Sequence, residues 1–328
     1  MKNIALMNTA IFSFNQGDYI IMESVKRELN QILRDSFVVE IPTHSPMFHV
    51  KEFGIRKNNS FMEKLNSFDY KIVCGTNLLA HNMNYKKTTW NINLKDTKYF
   101  GNMILLGVGT DPSDEPVNSY TRKLYQQALS KDFIHSTRDE RTKKMLIDMG
   151  FKAINTGCAT IWGLNQEHCK KIPTKKSESV VFTLTDYAAD PDKDREMIQI
   201  LEKNYKSVYF WIQGVGDLEY YMSLNIVSDV QFISPNIDAY NEFLKHTDCD
   251  FVGTRLHAGI KAMQLFKRSI IIGVDNRARD MVQDYNLHVI EREEISEQLE
   301  KKINSSFETN ICIQKENIDT FLSQFKTR

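Results

Sequence analysis

The sequence has 328 residues, of which 41% are hydrophobic and 26% are charged. It is therefore long enough for two packed domains and too apolar for a disordered chain. Its 42 Lys and Arg residues balance its 42 Asp and Glu residues, which excludes the net positive field typical of nucleic-acid-binding proteins.

The first half alternates short apolar strands with amphipathic helices, which is typical of βαβ units around a parallel sheet. Strands are predicted at residues 4–8, 37–41, 70–74, 103–108 and 133–136. Helices are predicted at residues 18–33, 121–129 and 138–149. Gly150 is a suitable C-terminal stop for the last of these helices.

The same alternation starts again after residues 170–178, a polar segment that contains Pro173 and marks the predicted domain boundary. Strands are predicted at residues 179–184, 207–213, 230–234, 250–253 and 269–274. Helices are predicted at residues 191–204, 217–224, 237–246, 255–266, 293–303 and 318–325. We therefore predict an α/β protein with an amino-terminal domain of residues 1–174 and a carboxy-terminal domain of residues 175–328 that ends in helices.

The cysteines and the apolar runs indicate the cellular compartment of the protein. Its five cysteines are an odd number without a CxxC pair, which predicts neither a disulfide framework nor a zinc ribbon. The apolar runs are far shorter than the roughly 20 residues that span a bilayer, and no secretion signal is expected. We expect a cytoplasmic protein whose contact with a membrane, where it occurs, is peripheral and at the inner face.

Neither a metal site nor a nicotinamide site is predicted. The histidines His44, His49, His81, His135 and His168 are scattered without the spacing of metal ligands, and we interpret them as solvated or structural. The run Gly214-Val215-Gly216-Asp217 lacks the third glycine of a dinucleotide-binding fingerprint.

The strand predicted at residues 250–253 leads directly into the most specific candidate site. Thr254 is the predicted helix N-cap, and Arg255-Leu256-His257 form the first turn. Unpaired backbone N–H groups and the helix dipole favour an anion at such a helix start. The alternative is that Arg255 is a solvated first-turn residue and His257 a partly buried structural one.

Two further arginines follow the next predicted strand. Arg277 and Arg279 open the helix after residues 269–274. The carboxyl ends of neighbouring parallel strands meet at one edge of a sheet, so these arginines are expected near Arg255. Several cations at one edge suit a doubly anionic ligand, although ordinary surface arginines would show the same spacing.

A third candidate segment lies between the first strand and the first helix. It contains Asn15, Gly17 and Asp18. Gly17 permits backbone geometry that other residues resist. Asp18 is either a helix N-cap or a base that faces a cleft between the two domains.

Taken together, Asn15-Gln16-Gly17-Asp18 and Arg255-Leu256-His257-Ala258 resemble the two ends of the polysaccharide pyruvyl transferase pattern. The resemblance extends over about residues 15–279. It implies a GT-B-like fold of two Rossmann-like domains that face each other across a cleft. It also implies that the amino-terminal domain binds the acceptor and the carboxy-terminal domain binds the donor.

Members of that family transfer pyruvate from phosphoenolpyruvate to sugar hydroxyls, commonly as a cyclic ketal. The resemblance places Arg255 and His257 on positions associated with the donor, and Asp18 on the NxGD position. Our hypothesis is that Arg255, with Arg277 or Arg279, holds the donor.

In the same hypothesis His257 acts as an acid or binds phosphate, and Asp18 orients or deprotonates the acceptor hydroxyl. The neighbouring residues Asn15, Gly17, Thr254 and Leu256 are expected to contact the substrates.

The expected partners are phosphoenolpyruvate and a sugar or lipid-linked oligosaccharide, with no nucleic acid and no cofactor. A GT-B glycosyltransferase that uses a nucleotide sugar is the competing expectation, because an anion-binding helix start also suits a diphosphate. A third expectation is a non-catalytic, carbohydrate-binding member of the family.

Overall fold

A computed structural model describes residues 1–46, 60–84, 88–98, 100–113, 115–227, 229–274 and 285–325. The chain forms two compact units that are discontinuous in sequence. Unit 1 comprises Met1–Ser13, Ile21–Trp162 and Gln314–Arg328, and unit 2 comprises Phe14–Ile20 and Gly163–Ile313. The domain division at residues 174 and 175 stays a prediction, and the names unit 1 and unit 2 refer to packing alone.

The described strands are numbered here in chain order. Those of unit 1 are β1 (Lys2–Asn8), β2 (Ser36–Pro42), β3 (Tyr70–Cys74), β4 (Asn77–Leu79), β5 (Ile104–Leu106), β6 (Gly109–Thr110), β7 (His135–Thr137) and β8 (Ala153–Asn155). Those of unit 2 are β9 (Ser179–Thr183), β10 (Ser207–Trp211), β11 (Gln231–Ile233), β12 (Asp250–Gly253), β13 (Ser269–Gly273) and β14 (Val289–Glu291).

The described helices lie between the strands or after the last of them. They are α1 (Gln16–Glu28), α2 (Asn30–Leu33), α3 (Ser60–Asn66), α4 (Ser119–Ala128), α5 (Glu140–Asp148), α6 (Gln166–Cys169), α7 (Pro191–Asn204), α8 (Asp217–Ser223), α9 (Ile237–His246), α10 (Leu256–Gln264), α11 (Glu300–Asn304) and α12 (Lys315–Ser323). A π-helical turn at Ile295–Leu299 precedes α11. The helix predicted over residues 293–303 is therefore a succession of three helical types, a 3-10 turn (Arg292–Glu294), this π-helical turn and α11.

Short polar residues start many of these helices. The side chains of Asn118, Asp139, Asp190 and Asn236 each accept a backbone N–H from the first turn of α4, α5, α7 and α9, respectively. Each such cap stabilises its helix by about 1 kcal/mol. Gly150 follows α5 with a φ of 86°, which confirms it as the residue that stops the helix.

Unit 1 has a sheet of four parallel strands in the order β2-β1-β3-β5. The pairs β4–β6 and β7–β8 are also parallel. Every residue of β3 is buried, as expected for a strand covered on both faces. Trp90, Leu105 and Leu146 lie in the apolar core packed on this sheet.

Unit 2 has a sheet of six parallel strands in the order β11-β10-β9-β12-β13-β14. Counted from β9, this is the order 3-2-1-4-5-6 of the Rossmann fold. Phe182, Phe210 and Tyr221 stack in its core, with ring centroids 5.0 Å apart in each successive pair. The strands predicted in this half are confirmed, and the three-residue β14 was not predicted.

Among the residues that the structure describes, no helix combines the length and the apolar character needed to cross a membrane.

Candidate functional site

In the sheet of unit 2, β9 and β12 are neighbours. From this pair, later strands are added outward on both sides, as β10 and β11 on one side and β13 and β14 on the other. In open parallel sheets, ligands bind beyond the carboxyl ends of the strands at such a switch point. The segments that leave the two strands touch here, since the hydroxyl oxygens of Thr185 and Thr254 are 2.8 Å apart. The backbone N–H of Arg255 donates to the Thr183 hydroxyl at 3.2 Å. The switch point is therefore a well-defined place for a site.

Arg255 lies at the switch point and is only 3% exposed. Its Nε donates to the carbonyl of Leu184 at 2.9 Å and to Oδ2 of Asp217 at 3.2 Å. Its Nη2 donates to Oδ1 of Asp186 at 2.9 Å and to the other oxygen of Asp217. These bonds fix the plane of the guanidinium, and a solvated first-turn arginine is excluded.

The two aspartates that hold Arg255 differ in burial. The side chain of Asp217 is 0% exposed, whereas that of Asp186 is 33% exposed. Burial raises the pKa of the Asp217 carboxyl, and the guanidinium of Arg255 opposes that shift. The N–H of Gly214 also donates to Asp217 at 2.7 Å. Asp217 is thus the buried anchor, and Asp186 is the partner that solvent reaches.

The segment of residues 14–18 packs against the loop of residues 213–216 that follows β10, and both belong to unit 2. The N–H of Gln16 donates to the carbonyl of Gln213 at 2.9 Å. The side-chain amide of Gln213 donates to Oδ1 of Asn15 at 2.7 Å. The predicted amino-terminal segment therefore reaches the carboxyl edge of the sheet in unit 2.

Within that segment, Asn15 starts the helix. Helix α1 begins at Gln16, and the N–H of Gly17 donates to Oδ1 of Asn15 at 2.9 Å. The interpretation of Asp18 as the N-cap is therefore wrong, because Asp18 lies inside the first turn, where it is 7% exposed. Its role as a base stays a prediction. A Cβ on Gly17 would lie 3.0 Å from the amide nitrogen of Gln213, so the close approach favours glycine.

Gly214 joins the two parts of the site. It pairs with Asn15 in an antiparallel bridge. A Cβ on Gly214 would collide with Nη2 of Arg255 and lie 3.1 Å from Oδ1 of Asp217. The loop after β10 therefore connects the Asn15 segment to Arg255, and we call residues 213–217 the connecting loop.

The remaining candidate residues are placed as follows. Helix α10 begins at Leu256, and Arg255 occupies its N-cap position without a side-chain cap bond. The prediction of Thr254 as the N-cap is wrong, because its hydroxyl bonds to threonine oxygens of the neighbouring segment. Leu256 and His257 are 7% and 5% exposed in the first turn of α10.

Arg277 and Arg279 lie outside the described residues, and their contribution stays a prediction.

The sequence did not indicate the partners of Arg255. Asp217 stands in the glycine-containing run that lacks a dinucleotide fingerprint, and Asp186 follows β9 without a motif. The two glycines before Asp217 were the available signal for a close backbone approach at this loop. Gly214 leaves room for the guanidinium of Arg255, with which a Cβ would collide.

A sequence profile of the polysaccharide pyruvyl transferase family matches residues 15–276. The matched region begins at Asn15 and includes the connecting loop and the segment of Arg255 and His257. No curated protein sequence matches the chain.

Several solved structures are similar to the whole chain. The UDP-GlcNAc 2-epimerase of Methanocaldococcus jannaschii, solved with UDP-GlcNAc and UDP, is 12% identical with a TM-score of 0.56 over 100% of both chains. The UDP-GlcNAc 2-epimerase of Neisseria meningitidis, bound to UDP-GlcNAc, is 13% identical with a TM-score of 0.53 over 100% of both chains. S. aureus MnaA with UDP is 12% identical with a TM-score of 0.57, over 99% of this chain and 96% of that one.

At such identities the likeness concerns the fold alone, and it confirms the predicted α/β, GT-B-like class. The family match covers most of the chain and contains both segments that meet at the connecting loop. The chain therefore belongs to the polysaccharide pyruvyl transferases, a family of transferases.

Proposed function

We propose that the protein transfers a pyruvyl group from phosphoenolpyruvate to a sugar hydroxyl during the synthesis of a cell-surface or exported polysaccharide. The observation that carries the proposal is a meeting of two segments in unit 2. Asn15 and Arg255, near the two ends of the family pattern, both pack against the connecting loop at the switch point. This meeting supports one site that uses both segments.

Arg255 is the proposed ligand of the donor. Phosphoenolpyruvate carries a carboxylate and a phosphate, and either group makes strong charge-assisted bonds to a guanidinium. We expect the donor to displace Asp186, which is partly exposed, while the buried Asp217 keeps the guanidinium in place. The start of α10 then offers backbone N–H groups to the second anionic group.

The proposed reaction needs an acid, a base and a place for a leaving phosphate. The acid delivers a proton to the methylene carbon, and one sugar hydroxyl adds to the central carbon. A second hydroxyl then displaces phosphate, which yields a cyclic ketal and inorganic phosphate.

We propose that His257 is the acid or the phosphate ligand, and that Asp18 receives the hydroxyl proton. Because no electrons are transferred in these steps, we propose no redox cofactor.

The experiment is a transfer assay with ¹³C-labelled phosphoenolpyruvate and a panel of sugars and lipid-linked saccharides. We expect mass spectrometry to find labelled pyruvyl groups on a sugar, with one phosphate released for each group transferred. Nucleotide sugars form the second arm. Sugar transfer from a nucleotide sugar, with phosphoenolpyruvate unused, would overturn the proposal in favour of a glycosyltransferase.

Glycan binding without turnover of either donor would instead indicate a non-catalytic member of the family.

A further inference from the structure

His81 and Asp111 form a close pair in unit 1 that the proposed reaction does not use. The ring Nδ1 of His81 lies 2.5 Å from Oδ1 of Asp111. The backbone N–H of His81 lies 3.3 Å from both carboxylate oxygens, and the Thr110 hydroxyl donates to Oδ1 at 3.2 Å. Nδ1 of His81 is thus bonded to Asp111, and Nε2 is the second ring nitrogen, which Asp111 does not contact.

The backbone around this pair is held in place by hydrogen bonds. The N–H of Asp111 donates to the carbonyl of Leu79 at 3.1 Å. The hydroxyl of Tyr125 accepts the N–H of Ala80 at 2.9 Å and donates to the carbonyl of the same residue at 3.0 Å. The direction of the His81 ring is therefore set before any ligand arrives.

His81 lines a groove of about 280 Å³ whose other walls come from α4, α5 and the residues before α4. Three cations line it as well, namely Arg122, Arg141 and Lys144. Within the described ranges, no side chain forms an ion pair or a hydrogen bond with any of the three. We call the four residues His81, Arg122, Arg141 and Lys144 the basic groove.

Two carboxylates also line this cavity, Glu115 and Asp148. Arg141, Lys144 and Asp148 share one face of α5, because they are three and four residues apart. With a rise of about 1.5 Å per residue, Asp148 lies about 6 Å beyond Lys144 and about 10 Å beyond Arg141 along the helix. Positive charge is therefore concentrated toward the start of α5.

We propose that the basic groove binds a sugar phosphate, with its cations on the phosphate and Nε2 of His81 on a sugar hydroxyl. A neutral sugar would leave the cations without a partner, and inorganic phosphate would leave the oriented ring nitrogen unused. The inference rests on the proposed function in one respect, since it makes a phosphate-bearing sugar the acceptor. A sugar attached to a phosphate occurs in nucleotide sugars and in lipid diphosphate sugars.

The test is a calorimetric titration of the whole protein with glucose 1-phosphate, mannose 1-phosphate and N-acetylglucosamine 1-phosphate. Glucose and inorganic phosphate are the reference ligands. We expect at least one sugar phosphate to bind about tenfold or more tightly than either reference ligand. Equal affinity for sugar phosphate and inorganic phosphate would overturn the proposal.

Variants then locate the binding. We expect Arg141→Gln to weaken the sugar phosphate about tenfold. We also expect His81→Asn to remove the preference over inorganic phosphate. Lys143→Gln is the matched control, because Lys143 lies on the same helix, is paired with Glu140 at 3.0 Å and does not line the groove. Equal affinities in Arg141→Gln and Lys143→Gln would overturn the site.

Thermal melting checks the fold of each variant, and Arg122→Gln replaces Arg141→Gln where the latter is unfolded.

A further arm compares UDP-glucose with a short-chain prenyl diphosphate glucose, and the tighter ligand identifies the source of the phosphate. These titrations contain no phosphoenolpyruvate. A protein that binds sugar phosphates but transfers no pyruvyl group would therefore contradict the proposed function and leave this site standing.

Discussion

Arg255 is held by two carboxylates whose burial differs, and this difference divides their roles. Asp217 contacts two guanidinium nitrogens and is 0% exposed. Asp186 contacts one nitrogen and remains 33% exposed. A donor anion that binds Arg255 must compete with one of them, and the exposed, singly bonded carboxylate is the weaker competitor. Under the proposed function, we therefore expect Asp217 to position the arginine and the donor to take the place of Asp186.

We expect Asp217→Asn to weaken donor binding and to destabilise unit 2. The change leaves a buried guanidinium without its main counter-charge, which costs about 3 kcal/mol in comparable buried pairs. Denaturant unfolding measures the stability, and titration with phosphoenolpyruvate measures the binding. An unchanged affinity would show that Asp217 does not position Arg255 for the donor.

Asp186→Asn is expected to act in the opposite direction on binding. It removes a charge that competes for Nη2 of Arg255, so phosphoenolpyruvate should bind several-fold more tightly, by about 1 kcal/mol. The same titration serves as the measurement. If Asp186→Asn weakens binding as much as Asp217→Asn does, the donor does not take the place of Asp186.

At the scale of elements, the connecting loop joins the two segments that carry the family pattern. Its Gly214 lies between the Asn15 segment and the guanidinium of Arg255. The sequence predicted β12 and the presence of α10 directly after it, because a buried strand followed by an apolar helix has a clear local pattern. It did not predict the contacts of Arg255, because Asp217 and Asp186 are 38 and 69 residues away in the chain.

Very short elements were missed for a related reason. β8 and β14 have three residues each and were not predicted. Alternation over so short a run is a weak signal, although the equally short β11 was predicted. The N-cap of α10 was placed one residue early at Thr254, because helix ends are set by backbone hydrogen bonds that spacing does not reveal. The predicted roles of Asp18 and His257 remain predictions, since no ligand contact bears on them.

Gly214→Ala tests the connecting loop. The added methyl group would collide with Nη2 of Arg255, so the guanidinium must move, and we expect donor affinity to fall about tenfold or more. Val215→Ala is the control, because Val215 belongs to the same loop and its side chain is 75% exposed. Affinities for phosphoenolpyruvate that are equal in the two variants would contradict the role of the loop.

At the scale of the whole molecule, we expect a histidine buried in unit 1 to affect stability in acid. His135 is 0% exposed. Its Nδ1 accepts the N–H of Leu105 at 3.1 Å, and its Nε2 donates to the carbonyl of Ser130 at 2.8 Å. Both bonds fit the neutral ring. Burial lowers the pKa of His135 to about 4, and the bond to Ser130 opposes this shift.

We expect His135 to make the protein less stable as the pH falls from about 6.5 to about 4. The unfolded chain binds the proton near pH 6.5, whereas the folded chain binds it only near pH 4. The folded state therefore loses about 3 kcal/mol of stability over this range. Urea unfolding at a series of pH values, compared with His135→Gln, measures the effect. An identical pH slope in the variant would contradict it.

We propose that phosphoenolpyruvate binds at the switch point of unit 2 through Arg255. A calorimetric titration of the wild-type protein and of Arg255→Ala with phosphoenolpyruvate tests this binding. We expect saturable binding to the wild type and a loss of affinity of about a hundredfold in the variant. No heat from phosphoenolpyruvate, with saturable binding of UDP-sugars to the same preparation, would contradict it.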